Sequence, residues 1–422
     1  MAKKKAEKPR RKVTKRQLSR WQQQKRRQRI ILGLGVFVIV AVLVIVGAGW
    51  YISQYQPLHQ TAIKVNNTEF NMKYYVEMLK LHGAGQSTQF EQYQADNVVK
   101  SIEQNALIRQ GALKLGVRVS DDALKEELKN ADLPNNDVQR DLIETLLVIE
   151  KLLDKYFEEQ VPTSAEQRQV MAMLLEGESQ ATEVRTRLED GESFAELTEG
   201  FSLSAVSKNN KGDFGWHPKG LLAGRVGTSI PEEHAFNSEV GALSQPIYDE
   251  EIYKEIGYWL IKVLDKDEEA GEAQVQAILL GNAEEAQAVR NRLEAGEDFA
   301  ALAKEFSQFG WTAENGGDLG SIAQGEMSPA PDKFIFSSQV EAGILSEPIR
   351  DETVATKGGY WLVKVVDKDD NRQIEAEDRD LLKSKALDTW IVSLWDDPEN
   401  RVDDSYLDDE KKAWAIEQVV LR

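Results

Sequence analysis

The sequence predicts an α+β protein: one N-terminal transmembrane helix, an all-helical module, two tandem α+β domains, and C-terminal helices that pack back on the helical module. Three observations carry this. No charged side chain occurs from Ile30 to Ile52. Residues 165–370 contain an internal duplication. Apolar stripes at helical spacing flank that duplication on both sides.

The first element is a basic arm at residues 1–29, with 14 Lys+Arg against the single acid Glu7, a charge of +13. The whole chain carries −19, so everything beyond the arm carries −32. The apolar run at 30–52 has 23 residues. At about 1.5 Å per residue it reaches about 34 Å, enough for a hydrocarbon core of about 30 Å. Its Val/Ile richness suits lipid, where every backbone hydrogen bond must close internally. Trp50 and Tyr51 stand at its far end, as interfacial aromatics do, and the positive-inside rule assigns the arm to the cytoplasm. Gly47-Ala48-Gly49 is small enough for signal cleavage, but the run exceeds an h-region of about 7–15 residues. The expectation is an uncleaved single-pass anchor at 30–52 in the cell membrane, with the bilayer as a partner and the bulk of the chain extracytoplasmic. A topogenic role accounts for the arm, and no nucleic acid is expected.

Residues 60–162 read as a helical module. Ile63 to Leu81 gives a short strand, a turn and an amphipathic helix; Leu107 to Leu128 gives a helix stopping near Gly116 and a new start capped by Ser120 or Asp121. A third striped helix, Leu142 to Phe157, closes at Pro162.

The duplication pairs VRTRLEDGESFAELTEGFS (from Val184) with VRNRLEAGEDFAALAKEFS (from Val289), and IGYWLIKVLDKD (from Ile256) with GGYWLVKVVDKD (from Gly358). Two domains follow, at 165–268 and 272–370. Each runs strand, helix, second short helix, Gly-rich turn, Phe-bearing helical turn and closing strand, the pattern of a small sheet covered by helices. Acidic runs at Asp265 to Glu269 and Asp367 to Asp370 read as solvated edges or linkers. At 375–422, Leu387, Trp390, Leu394 and Trp395 form one helical stripe and Trp414, Ile416, Val419 and Leu421 another. Such faces need a partner, and the module at 60–162 is the natural one.

Composition removes several chemistries. The chain has no cysteine, which excludes disulfides, thiolate nucleophiles and Cys-bound zinc. Its four histidines (His59, His82, His217, His234) show no metal-ligand spacing, and there is no phosphate loop or Gly-x-Ser-x-Gly elbow. No metal and no cofactor are expected. His217, after Gly215-Trp216, reads as a solvated turn residue.

The motifs Gly296-Glu297-x-Phe299-Ala300-x-Leu302, Gly316-Gly317-Asp318-Leu319-Gly320, Gly325-Glu326-Met327, Leu345-Ser346-Glu347-Pro348 and Gly359-Tyr360 resemble the parvulin signature. Copy one keeps Gly191 to Leu197, Gly212-Asp213-Phe214-Gly215, Leu243-Ser244-Gln245-Pro246 and Gly257-Tyr258. With Leu115 to Asp122 similar to the family's N-terminal module, nearly all of 60–420 resembles membrane-anchored foldases of the SurA/PrsA/PpiD type. The resemblance implies a SurA-N-type chaperone module, two PpiC-type peptidyl-prolyl isomerase (rotamase) domains, and a bacterial source.

Parvulins place two hydrogen-bonded histidines beside a Cys or Asp. In this sequence those positions hold Ala172, Ser204 and Trp259 in copy one, and Ala277, Phe309 and Trp361 in copy two. The proline-gripping Phe corresponds to Pro231 and Pro331. Isomerisation crosses a barrier of about 18–20 kcal/mol without acid, nucleophile or metal, so pocket shape alone can supply some catalysis. The expectation is weak or absent isomerase activity. Substrate contact falls to Met327, Phe334, Phe336 and Trp361 in copy two, and to Leu222, Phe236 and Trp259 in copy one.

The implied function is an extracytoplasmic, membrane-tethered folding factor that binds unfolded or proline-containing segments of secreted polypeptides as they leave a translocon. The alternative is an envelope scaffold whose parvulin-like domains hold one fixed protein partner.

Overall fold

The computed structural model describes Leu32, residues 37–83 and residues 88–420. The basic arm, most of the first residues of the apolar run and Leu421 lie outside them. The chain divides into two compact units, one from the residues up to Glu158 together with those from Leu387 onward, the other Glu159–Ala386.

In the first unit the apolar run is a helix from Phe37 to Leu58, none of it buried. It comprises α1 (37–50), a π-turn at Tyr51–Tyr55 and α2 (Gln56–Leu58), so helix continues past the Ile52 boundary expected from charge. Strands β1 (Thr61–Val65) and β2 (Thr68–Asn71) form a hairpin. Its turn uses Asn66 at φ 54°, a left-handed conformation that Asn tolerates. Then come α3 (Met72–Gly83), α4 (Thr88–Lys114), α5 (Asp121–Asn130), α6 (Asp137–Lys151) and, after a π-turn, α7 (Phe157–Gln160). Ser120 caps α5 through its Oγ, accepting from the Ala123 N–H, and Asn136 caps α6 in the same way. The module is therefore helical as expected, with a small sheet added.

The C-terminal helices do return to it. A Cβ on Gly111 of α4 would lie 2.8 Å from Leu394 and 2.9 Å from Trp390, so only glycine admits so close an approach. Trp390 also meets Phe157 edge-on at 6.4 Å. Strand β11 (Val402–Asp403) joins β1 as the third strand of the sheet, and α18 (Asp409–Val420) packs on α3 and α4.

The second unit holds both copies, and their strands are exchanged. Copy one supplies β3 (Ser164–Leu175), α8 (Glu178–Glu189), α9 (Phe194–Phe201), α10 (Ala205–Asn209), β4 (Asp213–Pro218), α11 (Leu222–Val226), α12 (Ile230–Asn237), β5 (Ile247–Lys254) and β6 (Gly257–Asp267). Copy two supplies β7 (Glu272–Leu280), α13 (Ala283–Glu294), α14 (Phe299–Phe306), α15 (Gly310–Glu314), β8 (Asp318–Ala323), α16 (Pro329–Ile335), β9 (Ile349–Asp351) and β10 (Thr356–Gln373), after which α17 (Ala376–Asp396) begins. The sheets run β4-β3-β10-β5 and β8-β7-β6-β9, all pairs antiparallel. Each copy's closing strand thus completes the other copy's sheet.

The boundaries at 165–268 and 272–370 divide the sequence correctly as repeats but not as folded domains. An inserted domain spans 257–351, and an outer domain is built from 164–254 and 356–373. The physical reason is local. Only four residues separate β6 from β7, and such a connection favours an antiparallel hairpin. The Gly271 N–H donates to the Asp267 carbonyl at 2.8 Å, while Asp267 Oδ1 accepts from the N–H groups of Glu269 and Ala270. The acidic stretch, read as a solvated edge or a linker, is an exposed turn.

The two chain crossings lie side by side. Lys254, 3% exposed, donates from Nζ to the carbonyls of Lys357 and Gly358. Thr356 Oγ1 donates to the Ile256 carbonyl. Burial pushes the Lys254 ammonium down to about 8, against the pull of Glu176 and Glu285.

Candidate functional site

Each of the two domains presents one sheet face toward its Phe-bearing helices, and Ala172, Ala277, Trp259 and Trp361, singled out by the resemblance, lie in the cores on those faces. In the outer domain Ala172 of β3 shares a core cluster with Trp361 of β10, together with Leu222, Phe214 and, at its edge, Phe236. In the inserted domain Ala277 of β7 shares one with Trp259 of β6, with Met327, Phe334 and Phe336 packed against it. The groupings expected from the sequence are therefore corrected. Trp361 belongs with Ala172 and Ser204, and Trp259 with Ala277 and Phe309, because the strands that carry the two tryptophans are exchanged.

Registers repeat faithfully: Trp361 stands opposite Leu174, and Trp259 opposite Leu279. Trp361 is 0% and Trp259 3% exposed, and Leu222 is equally buried. These three were expected to touch substrate. Their burial places them in the cores instead, each indole sharing a cluster with the small residue two positions along the neighbouring strand from its own partner. Pro231 and Pro331 are buried at the starts of α12 and α16.

Both indoles are tied to a carboxylate. Trp361 Nε1–H donates to Asp249 Oδ2 at 3.0 Å, and Trp259 Nε1–H donates to Asp351 Oδ2 at 3.0 Å. Asp249 also accepts from the N–H groups of Glu251 and Ile252. Asp351 accepts from the N–H and Oγ1 of Thr353 and from Ser328 Oγ. Burial alone would push the Asp351 carboxyl up, but the donors from Ser328, Thr353 and Trp259 hold it below the usual carboxylate range. Sequence reasoning missed both aspartates. One signal was available: Asp249 and Asp351 are separated by the same 102 residues as Trp259 and Trp361.

An indole N–H cannot accept or relay a proton near neutral pH, and here it is already committed to a carboxylate. The arrangement is a satisfied buried network rather than a titrating pair. What remains chemically available is apolar surface. Phe309 is 42% exposed and meets Trp259 edge-on at 5.6 Å; Trp311, two residues on, is 61% exposed. Met327, Phe334 and Phe336 are half-buried behind them. The outer domain differs. Ser204 caps α10 by accepting from the Ser207 N–H, Val206 takes the place of Trp311, and half-buried Phe236 lies under the Arg168 guanidinium at 5.7 Å.

His217 is not a solvated turn residue. It lies on β4, with Nδ1 2.6 Å from Asp378 Oδ2 at the start of α17, and Arg225 donates to the other oxygen at 2.8 Å.

Comparison with known proteins agrees with these features. The PPIC-type PPIase domain matches twice, at residues 160–265 and 266–367, and the SurA-like N-terminal domain matches residues 20–171. The foldase protein PrsA of Caldanaerobacter subterraneus is 29% identical over 190 residues, covering 42% of this chain and 59% of that protein. The chaperone SurA of Chromohalobacter salexigens is 25% identical over 314 residues, covering 71% of this chain and 63% of that protein. The chain thus spans about three fifths of the length of these relatives. Among solved structures, the peptidylprolyl isomerase PrsA of Bacillus anthracis aligns at 22% identity over 34% of this chain and 70% of that one, with a TM-score of 0.26. With a SurA-like N-terminal domain followed by two PPIC-type domains, the chain belongs to the SurA/PrsA family of parvulin-type foldases.

Proposed function

We propose that this protein is a membrane-tethered extracytoplasmic chaperone that holds unfolded or proline-containing segments of exported polypeptides, with little or no prolyl isomerase activity. One observation carries the reading. In each domain the closing-strand position where parvulins keep a histidine holds a buried indole whose N–H is bound to a carboxylate, and the first-strand position holds an alanine. A fold stripped of its titrating network but keeping exposed aromatics is suited to binding without turnover. The inserted domain is the stronger binder in this reading, through Phe309 and Trp311. Tethering is supported by the helix Phe37–Leu58, with mean hydropathy 2.1 and its apolar stretch unburied. The residues before it point to a cytoplasmic N-terminus.

The test is a cis/trans exchange assay on X-Pro peptides with the fragment from Ser53 onward, run beside suppression of aggregation of an unrelated unfolded protein. The expected result is no acceleration with clear suppression. Acceleration approaching that of a histidine-bearing parvulin would overturn the non-catalytic reading. Capture of one partner without suppression would favour the scaffold alternative.

A further inference from the structure

The end of the membrane helix is built into the first unit in a way that creates a second site. Trp50 and Tyr55 line a cavity of about 200 Å³ whose far wall is α3, including Lys73, Val76, Glu77 and Lys80. The aromatics are ordered as a stack. Trp50 lies 6.3 Å and Tyr51 5.3 Å from the Tyr55 ring, which stacks on His59 at 4.1 Å. His59 Nδ1 lies 2.8 Å from the Tyr55 carbonyl and fixes that stack.

Depth follows from helix geometry. Trp at the end of an apolar run sits at the membrane interface. The five residues from Trp50 to Tyr55 add about 7 Å at about 1.5 Å each, within a headgroup layer of about 5–8 Å on each side of the core. The wall of α3 that shares this cavity is therefore held among the headgroups. Its two lysines are seven residues apart, hence on one face. Glu77 lies between them and pairs loosely with Lys73 at 3.8 Å; Lys80 makes no ion pair among the described residues. An aromatic floor beside a wall of two lysines and one glutamate, net positive and at phosphate depth, suits an anionic lipid headgroup in charge.

We infer that this cavity binds the phosphodiester of an anionic phospholipid headgroup, orienting the first unit on the membrane surface. The inference rests on the anchor reading above, and its test separates the two. The full chain is purified from mixed micelles of phosphatidylglycerol and phosphatidylcholine, and retained lipids are counted by native mass spectrometry. Carbonate extraction of membranes is run in parallel. The wild type should retain phosphatidylglycerol preferentially. Lys73→Gln with Lys80→Gln should lower that retention about fivefold per lysine, the effect of one basic group near an anionic surface. The Lys73→Arg/Lys80→Arg chain should retain it, and Lys129→Gln on α5 should change nothing. A wild-type chain that stays in the membrane yet binds both lipids equally, or a double Gln variant indistinguishable from it, overturns the site alone. Release of the wild type by carbonate overturns the anchor reading and the site with it.

Discussion

The outer and inserted parvulin-type domains share a scaffold and differ in what they expose. Both pack a buried tryptophan in one core cluster with an alanine of the neighbouring strand and bind its N–H to an aspartate. Both place a glycine where a side chain would strike the first Phe of the second helix: a Cβ at Gly212 would sit 2.8 Å from Phe194, and one at Gly317 2.6 Å from Phe299. Around them the outer domain presents Ser204 and Val206, and the inserted domain Phe309 and Trp311. The comparison teaches that a buried indole tied to an aspartate is common to both cores, while the exposed aromatic pair Phe309 and Trp311 has no aromatic counterpart at 204 and 206.

The comparison depends on which closing strand completes which sheet, and the sharpest way to break it is covalent. The chain has no cysteine, so introduced pairs report cleanly. Gln169 faces Asp367, and Gln274 faces Asp265. Directly opposed antiparallel residues lie about 4.5–5.5 Å apart, within disulfide reach. Gln169→Cys with Asp367→Cys should form a disulfide almost completely under mild oxidation. Gln169→Cys with Asp265→Cys should form none within one chain, although that pairing is what two self-contained domains would give. The reverse pattern on a non-reducing gel would abolish the outer and inserted assignment.

Next in size is the cost of each indole. Trp361→Ala removes a fully buried side chain and should destabilise by about 3–5 kcal/mol. The exchange directs that cost to the outer domain. Hydrogen exchange should quicken in β3 while β7 stays protected, since the inserted domain keeps all four of its strands between 257 and 351. Trp259→Ala should do the converse, leaving the outer domain closed over a long loop at modest entropic cost. Equal loss of protection in both sheets would mean they unfold as one body.

The crossings themselves are asymmetric, because the counterpart of Lys254 in the repeat is Thr356. A lysine that titrates at about 8 when folded and at about 10.5 when unfolded releases its proton earlier in the native state. Between those values the unfolded chain binds more protons, so stability rises with pH from about 8 to about 10.5 and is flat below. The span corresponds to at most about 3 kcal/mol. Urea denaturation across that range should show the rise, and Lys254→Met should flatten it. A wild type with no slope there would mean that the ammonium is not desolvated at the crossing.

Much of this was legible in the sequence, for identifiable reasons. The apolar run, the duplication, the element order in each copy, the Ser120 cap and the return of the Trp390 helix all follow from local pattern or simple burial. The strand exchange did not, because GYWLIKVLDKD and GYWLVKVVDKD are nearly interchangeable and either can complete either sheet. One local trace was the four-residue spacing between β6 and β7, a hairpin length in a stretch read as a solvated edge or a linker. The Asp249 and Asp351 acceptors were hidden because an aspartate on a strand reads as solvent-facing until its donor is known. His217 was misjudged for a related reason: its partner Asp378 lies 161 residues away.

The smallest expected effect bears most directly on function. Phe309 and Trp311 are exposed enough that alanine at either should move stability little, within about 0.5 kcal/mol for Trp311 and somewhat more for Phe309, which supports Trp259. If the inserted domain is the binding copy, the pair should matter for clients. Aromatic anchors at an interface commonly carry upward of about 1 kcal/mol each, so Trp311→Ala should weaken binding of an unfolded client about fivefold. Val206→Ala, at the matching place in the outer domain, should leave it unchanged. The readout is the fragment concentration needed to halve client aggregation, with unfolding midpoints measured beside it so that a stability effect is not taken for a binding one. Equal responses to Trp311→Ala and Val206→Ala would remove the functional distinction between the copies and shift client binding to the helical module. There a groove lined by Pro57, Met72 and Trp414 and rimmed by charged side chains such as Asp408 and Lys411 offers an alternative surface.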